Sequence, residues 1–162
     1  FDDFILVMYR EDEMMISHRW LATTDPGKYW LMNPSNPKGT AVLVPGQYRG
    51  TWQLGKHQGR YKALVQRKPV KVYRDDNKDE IIDFNNIITL IDEGYFGINI
   101  HRSNPYKESY VVNKWSAGCQ VFKKVEDYNK FIQLCSDSAK IYGNSFSYTL
   151  IDEKDLRKHL ND

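Results

Sequence analysis

Cysteine is scarce in this 162-residue chain: there are two, Cys119 and Cys135, and no Cys-x-x-Cys pair. Two thiols allow one disulfide at most, which excludes a disulfide-built scaffold, and the usual zinc spacing is missing. The four histidines, His18, His57, His101 and His159, are scattered, so no metal site and no cofactor is expected. No apolar run approaches the roughly 20 residues of a membrane-spanning helix. Charge of one sign is also missing. Lys plus Arg number 23 against 21 Asp plus Glu, a net charge of +2, and the signs are interspersed rather than blocked. That is not the basic stripe of a nucleic-acid binder. The chain opens on Phe1, Asp2 and Asp3, acidic where a secretory signal is basic. Without an initial Met it reads as a processed protein or a domain of something larger, so the missing signal does not fix its location.

What is present is enough for one domain with a real core, taken as residues 1–162 with the core at roughly 14–151. The chain is 41% hydrophobic and carries 11 Tyr and 4 Trp. Aromatics suit pleated, half-buried surfaces, and strand packing is preferred over a stacking surface for sugars or bases.

The first two-thirds read as β structure. Strands are expected at Phe4 to Tyr9, Met14 to Leu21, Ala41 to Val44, Gln47 to Leu54, Tyr61 to Gln66, Val70 to Tyr73 and Gly94 to Ile100. Turn signals separate them, among them Thr24-Asp25-Pro26-Gly27 and Pro45-Gly46. Tyr110 to Val112 is a further candidate for pairing. Asp75, Asn77 and Asp79 resemble the start of a calcium loop. Glu80 then stands where that loop needs Gly, and Asn86 where it needs Glu, so a solvated turn is the reading.

One helix is clear after Cys119: Val125, Tyr128, Ile132, Cys135 and Ala139 form an apolar stripe at steps of three and four. Cys135 lies on that stripe and reads as a core thiol. Ser145 to Ile151 alternates as a last strand, and the charged tail from Asp152 suggests a short terminal helix. The expected class is therefore mainly β with one or two helices.

The chemistry-bearing segments are Gly97-Ile98-Asn99-Ile100-His101-Arg102 and Trp115-Ser116-Ala117-Gly118-Cys119-Gln120. A cysteine becomes a nucleophile when a nearby imidazole takes its proton, and a local positive potential favours the thiolate. Gly118 permits a sharp turn, from which the amides of Ala117, Gly118 and Cys119 are expected to face one oxyanion. From spacing alone, a buried Cys after a Gly, with an unrelated surface His, is the preferred reading.

His101 followed by Ser116-Ala117-Gly118-Cys119 resembles the signature of the L,D-transpeptidase (YkuD-type) family: a His ending a strand, a loop, then Ser/Thr-x-Gly-Cys. Val44-Pro45-Gly46-Gln47-Tyr48 and Ala22-Thr23-Thr24 are similar to upstream segments of that family. The resemblance spans roughly Met14 to Ile151. It implies a mixed β-sandwich, with Cys119 as nucleophile and His101 as base and then acid. The Arg102 carbonyl would orient the imidazole, Ser116 would support the loop, and Gly118 would form the turn. The implied substrate is a peptidoglycan stem peptide, with Trp115, Gln120 and Ala117 as candidate contacts. A thioester would pass to an amine of another stem or to water.

The family usually has Gly where Arg102 stands and Arg where Val121 stands, so Arg102 is expected to supply the site's charge. Two alternatives accompany this expectation. One is a lytic L,D-carboxypeptidase or endopeptidase, such as a phage lysin; the other is a non-catalytic wall-binding or structural module. The implied location is the periplasm or cell wall, or a virion or lysis context for a phage-encoded protein.

Overall fold

The computed structural model describes residues 1–82 and 91–160. Ten strands and three helices follow one another in these parts of the chain. β1 (Asp3–Glu11) and β2 (Met14–Thr23) form a hairpin in which Glu11 pairs with Met14. Asp12 takes a positive φ of 51° to close so short a turn. Alternation then sorts the side chains of β1: Ile5 is buried, while Phe4, Leu6 and Met8 are exposed on the other face. After α1 (Lys28–Met32) come β3 (Thr40–Leu43), β4 (Gly46–His57), β5 (Tyr61–Gln66) and β6 (Val70–Asp75). β7 (Ile91–Gly94), β8 (Ile100–Arg102) and β9 (Gln120–Phe122) lead to the long α2 (Val125–Tyr142), then β10 (Phe146–Leu150) and α3 (Glu153–Leu160).

The strands form two sheets. One has seven strands in the order β1-β2-β9-β8-β5-β4-β10, and the other three in the order β3-β6-β7. Among the described residues every pairing is antiparallel except β8 with β9, which run parallel. A parallel pair requires a crossover, and residues 103–119 supply it.

Both sheets feed one core, with Ala41, Leu43, Val70 and Val72 of the small sheet in one cluster with Trp52, Leu64, Ile100 and Phe122 of the large one. Trp52 is fully buried and spends its indole N–H on the Ile98 carbonyl at 2.7 Å, so its burial leaves no polar atom unpaired. α2 packs through Tyr128, Phe131 and Cys135, and Phe131 meets the Phe122 ring at 4.8 Å. Its acidic first turn (Glu126, Asp127) and Lys140 in its last turn complement the helix dipole, and Gly143 ends it at φ 87°. Burial pushes the Cys135 thiol up to about 12, as befits an inert core residue.

The chain is mainly β, as expected, with three helices among the described residues where one or two were expected. The additional one, α1, is a five-residue helix following Pro26-Gly27, too short to leave a periodic pattern. The strand expected from Gly94 to Ile100 is divided. β7 ends at Gly94 and β8 begins at Ile100, because the Gln66 side chain, rather than a neighbouring strand, binds the intervening backbone. Tyr110 to Val112 is not a strand. It lies on the surface within the crossover, with Tyr110 78% exposed. In the loop compared with a calcium site, Asp75 ends β6 and Asp79 caps the Ile81 amide; Asn86 lies outside the described residues.

Candidate functional site

The parallel pair sets the geometry. Ile100 stands beside Gln120 and His101 beside Val121, and the Gln120 amide continues the ladder by donating to the Asn99 carbonyl at 2.9 Å. Alternation puts Asn99, His101, Cys119 and Val121 on one face, with Ile100, Gln120 and Phe122 turned to the other, where α2 packs. Cys119 and His101 are therefore diagonal neighbours on one face.

A small hydrogen-bonded loop delivers Cys119. Ser116 is fully buried; its hydroxyl donates to the Cys119 carbonyl at 2.8 Å and accepts the Gly118 amide at 3.1 Å. Gly118 has φ 116°, and a Cβ there would lie 2.3 Å from the Ala41 carbonyl oxygen. Only glycine fits a positive φ against another backbone. The Gly118 amide is thus spent within the loop. That withdraws it from the expected trio of oxyanion donors.

The sulfur is held on its other side. The Asn99 amide points at Sγ at 3.4 Å, and the thiol donates to the Gly97 carbonyl at 3.3 Å. Gln66 braces that irregular segment: its Oε1 accepts the Phe96 and Ile98 amides at 3.1 and 3.0 Å, and its Nε2 donates to the Gly94 carbonyl at 2.8 Å. Cys119 shares no hydrogen bond with His101 in this resting arrangement. Burial pushes the Cys119 thiol up to about 11, opposed by the Asn99 amide. The resting group is a thiol, whereas a nucleophilic cysteine was expected to sit in a thiolate-favouring environment.

His101 is buried, at 4% exposure, and its Nδ1 lies 2.7 Å from the Arg102 carbonyl oxygen. A carbonyl only accepts, so Nδ1 carries the proton and Nε2 the lone pair. The Tyr61 hydroxyl approaches the same two atoms at 3.2 and 3.3 Å. Burial, with the neighbouring His57 and the Arg102 cation, pulls His101 down to about 3, and the ring is a neutral base at ordinary pH. His57, at the end of β4, stacks on His101 with ring centroids 4.0 Å apart.

A cleft of about 510 Å³ opens over the thiol; its walls include Trp30, Ala41, His57, Arg74, Ala117 and Cys119. Of the residues singled out in the sequence, His101, Arg102, Ser116, Ala117, Gly118 and Cys119 do gather around one place, and three expectations change. The Arg102 carbonyl meets the imidazole, but its guanidinium lies over the Tyr61 ring at 4.0 Å, because alternation along β8 turns it to the face opposite His101. The cation bordering the cleft is Arg74, which is buried, bonded to Asp92 at 3.2 Å and stacked on Phe96 at 4.5 Å. Gln120 is no substrate contact: it is fully buried, its Oε1 accepting from the Tyr148 hydroxyl at 3.1 Å. Trp115 sits on the surface at 38% exposure, and the tryptophan in the cleft wall is Trp30, whose indole donates to the Lys114 carbonyl.

His57, Gln66, Asn99, Arg74 and Trp30 were not singled out as site residues. Asn99 carried the one available signal, two positions before His101 and so on its face of an extended chain. Among the described residues no group of three or more His, Cys, Asp or Glu side chains is placed to hold a metal ion. No helix among them is long and apolar enough to cross a membrane. Compared with family models, with curated proteins and with solved structures, the chain matches none.

Proposed function

We propose that the chain is a cysteine acyl-transfer enzyme of the L,D-transpeptidase type, acting on peptidoglycan stem peptides through a thioester on Cys119. The observation that carries this is a thiol at a glycine turn, on the same sheet face as a buried imidazole whose Nδ1–H is committed to a backbone carbonyl. Nε2 of His101 is thereby left as a lone pair.

On this reading the thiol turns from the Gly97 carbonyl to His101 as the acyl donor enters. Nε2 takes the S–H proton while sulfur attacks the acyl carbon. The amides of Ala117 and Cys119 receive the oxyanion. The C–N bond then breaks, and the leaving amine takes its proton from His101. In the second half, an amine or water attacks the thioester, gives its proton to His101, and Cys119 leaves as the thiolate and is reprotonated. The high thiol and low imidazole values favour proton transfer concerted with attack over a standing ion pair. A wall-facing or lysis-associated setting follows from the substrate.

The test is to incubate the protein and its Cys119→Ala variant with purified muropeptides, with and without an amine acceptor, and to weigh the products. Cross-linked products support transpeptidation, and shortened monomers support the hydrolytic alternative. Identical product spectra from protein and variant would leave the non-catalytic module.

A further inference from the structure

His57 has no part in the reaction so far, yet two contacts hold it in the wall of the cleft that also contains the thiol. It lines the cleft with Cys119, stacks on His101 at 4.0 Å with 24° between the ring planes, and its Nδ1 lies 3.1 Å from the Asn99 side-chain nitrogen.

The orientation of Asn99 determines where the His57 proton sits. The Gln66 amide donates to Asn99 Oδ1 at 3.0 Å, which assigns the oxygen and leaves the NH2 group toward His57. An NH2 group only donates, so Nδ1 of His57 accepts, and the neutral ring carries its proton on Nε2. A second proton on Nδ1 would set N–H against NH2. Asn99 cannot turn over to relieve this without abandoning the Gln66 amide.

The two stacked imidazoles are thus opposite tautomers. His101 offers a lone pair at Nε2, and His57 offers an N–H. Among the described residues, no hydrogen bond engages His57 Nε2. The charges acting on His57 are the cations of Arg60 and, across β8, Arg102, with His101, Tyr61 and the Cys119 thiol as its other titratable neighbours. Burial and both cations pull it down from its ordinary value, in the same sense as the hydrogen bonds.

We propose that His57 is a substrate-contacting residue that presents its Nε2–H to an acceptor oxygen of the acyl group carried by Cys119. The nature of that acyl group rests on the proposed acyl-transfer reading; the tautomer and the place of His57 in the cleft wall do not. A neutral donor suits an uncharged carbonyl, and it leaves His101 free to become the single cation of the stacked pair when it takes the thiol proton.

The experiment uses histidine-15N protein and long-range proton–nitrogen spectra, before and after Cys119 is alkylated with iodoacetamide, which places an amide carbonyl on the sulfur. His57 is expected to keep the Nε2–H pattern as pH is lowered past the usual imidazole value, and its Nε2 proton is expected to move downfield in the adduct. An Nδ1–H pattern, an ordinary titration or an unmoved proton would overturn the proposal. Asn99→Asp keeps an acceptor for the Gln66 amide and turns a second acceptor toward His57. The ring should then take an Nδ1–H and titrate above its wild-type value.

With muropeptides, His57→Phe keeps the stacked ring and loses the donor, so kcat/KM should fall roughly tenfold to a hundredfold. His57→Gln keeps an N–H and should retain more activity than His57→Phe. Equal loss in both variants assigns the residue to packing and overturns the contact. Wild-type protein that turns over no muropeptide, yet gives the expected adduct shift, removes the wall-peptide substrate while the His57 contact stands.

Discussion

Replacing Gln66 by Met tests whether one side chain supports the backbone that holds the sulfur. Met matches glutamine in length and shape but has no amide, so four hydrogen bonds go: from Phe96 N, from Ile98 N, to the Gly94 carbonyl and to the Lys68 carbonyl. Ile98 is 2% exposed, and its amide would be left dry. An orphaned buried amide costs about 1–3 kcal/mol, and each of the half-buried bonds about 0.5–1.5 kcal/mol. Water replaces the exposed bond to Lys68 at little cost. The expected loss is about 3 kcal/mol, which in a domain this size lowers Tm by roughly 6–12 °C.

Urea denaturation followed by tryptophan fluorescence reads the stability. Iodoacetamide labelling, read by mass, reads Cys119, whose sulfur contacts Gly97 and Asn99 in the same segment. Cys119 should label faster in the variant under folding conditions, while Cys135, on the buried face of α2, should not. Gln66→Glu is a useful companion. Its carboxylate accepts both amides but faces two carbonyls, so its stability should recover as pH falls and the acid gains a proton to donate. A Gln66→Met protein within 0.5 kcal/mol of wild type, about the scatter of neutral surface changes, with unchanged labelling would refute the reasoning.

Three further outcomes can be checked. Gly118→Ala places a methyl 2.3 Å from the Ala41 carbonyl at φ 116°. It should cost about 2–4 kcal/mol in calorimetry and abolish turnover, and a fully active variant would refute the turn's role. With His101 near 3 and Cys119 near 11, turnover should show no acid limb at the ordinary imidazole value of 6.5; a half-maximum there would count against a buried neutral base. Asp25 is raised to about 6 by burial, with Asp3 and Asp2 adding to the effect. The folded state thus holds its proton more tightly than the unfolded chain, so the contribution of Asp25 to stability is fullest below pH 3.8 and falls away as pH rises through 6. Asp25→Asn should remove that fall and gain roughly 1–2 kcal/mol at pH 7.5 in urea titrations, with little change at pH 3.5. Equal stability of the two proteins at pH 7.5 would refute it.

Elements with a local cause were readable from the residues alone. The β1–β2 hairpin, β4, β5 and β10 follow alternation bounded by turns, and α2 follows its apolar stripe. The loop from Ser116 to Cys119 was equally local, because its bonds join residues two and three apart. What escaped was built at a distance. Gln66 reaches residues 28 to 33 positions away to replace a strand neighbour, and nothing in the segment 95–99 records that. His57 meets Asn99 and His101 only because β4, β5 and β8 lie side by side. Gln120 and Arg102 were near the right place with the wrong direction. One residue of register on a strand exchanges the cleft for the opposite face, and adjacency to a catalytic residue in sequence is poor guidance to facing the same way.

The parallel pairing of β8 with β9 has a consequence for how this site can vary. Because β8 and β9 point the same way, the chain must leave the sheet after Arg102 and travel back before Gln120 can enter. The thiol and the imidazole are aligned by the ladder itself, not by the length of that return path. The exposed middle of the crossover can therefore be lengthened, recoloured or exchanged without disturbing their alignment, provided Asn113 keeps its approach to Gly27 and Ser116 its bonds to the turn. On the proposed acyl-transfer reading, reactivity and recognition would be carried by separate stretches of one connection: a fixed hinge at its end, and a rewritable surface ahead of it.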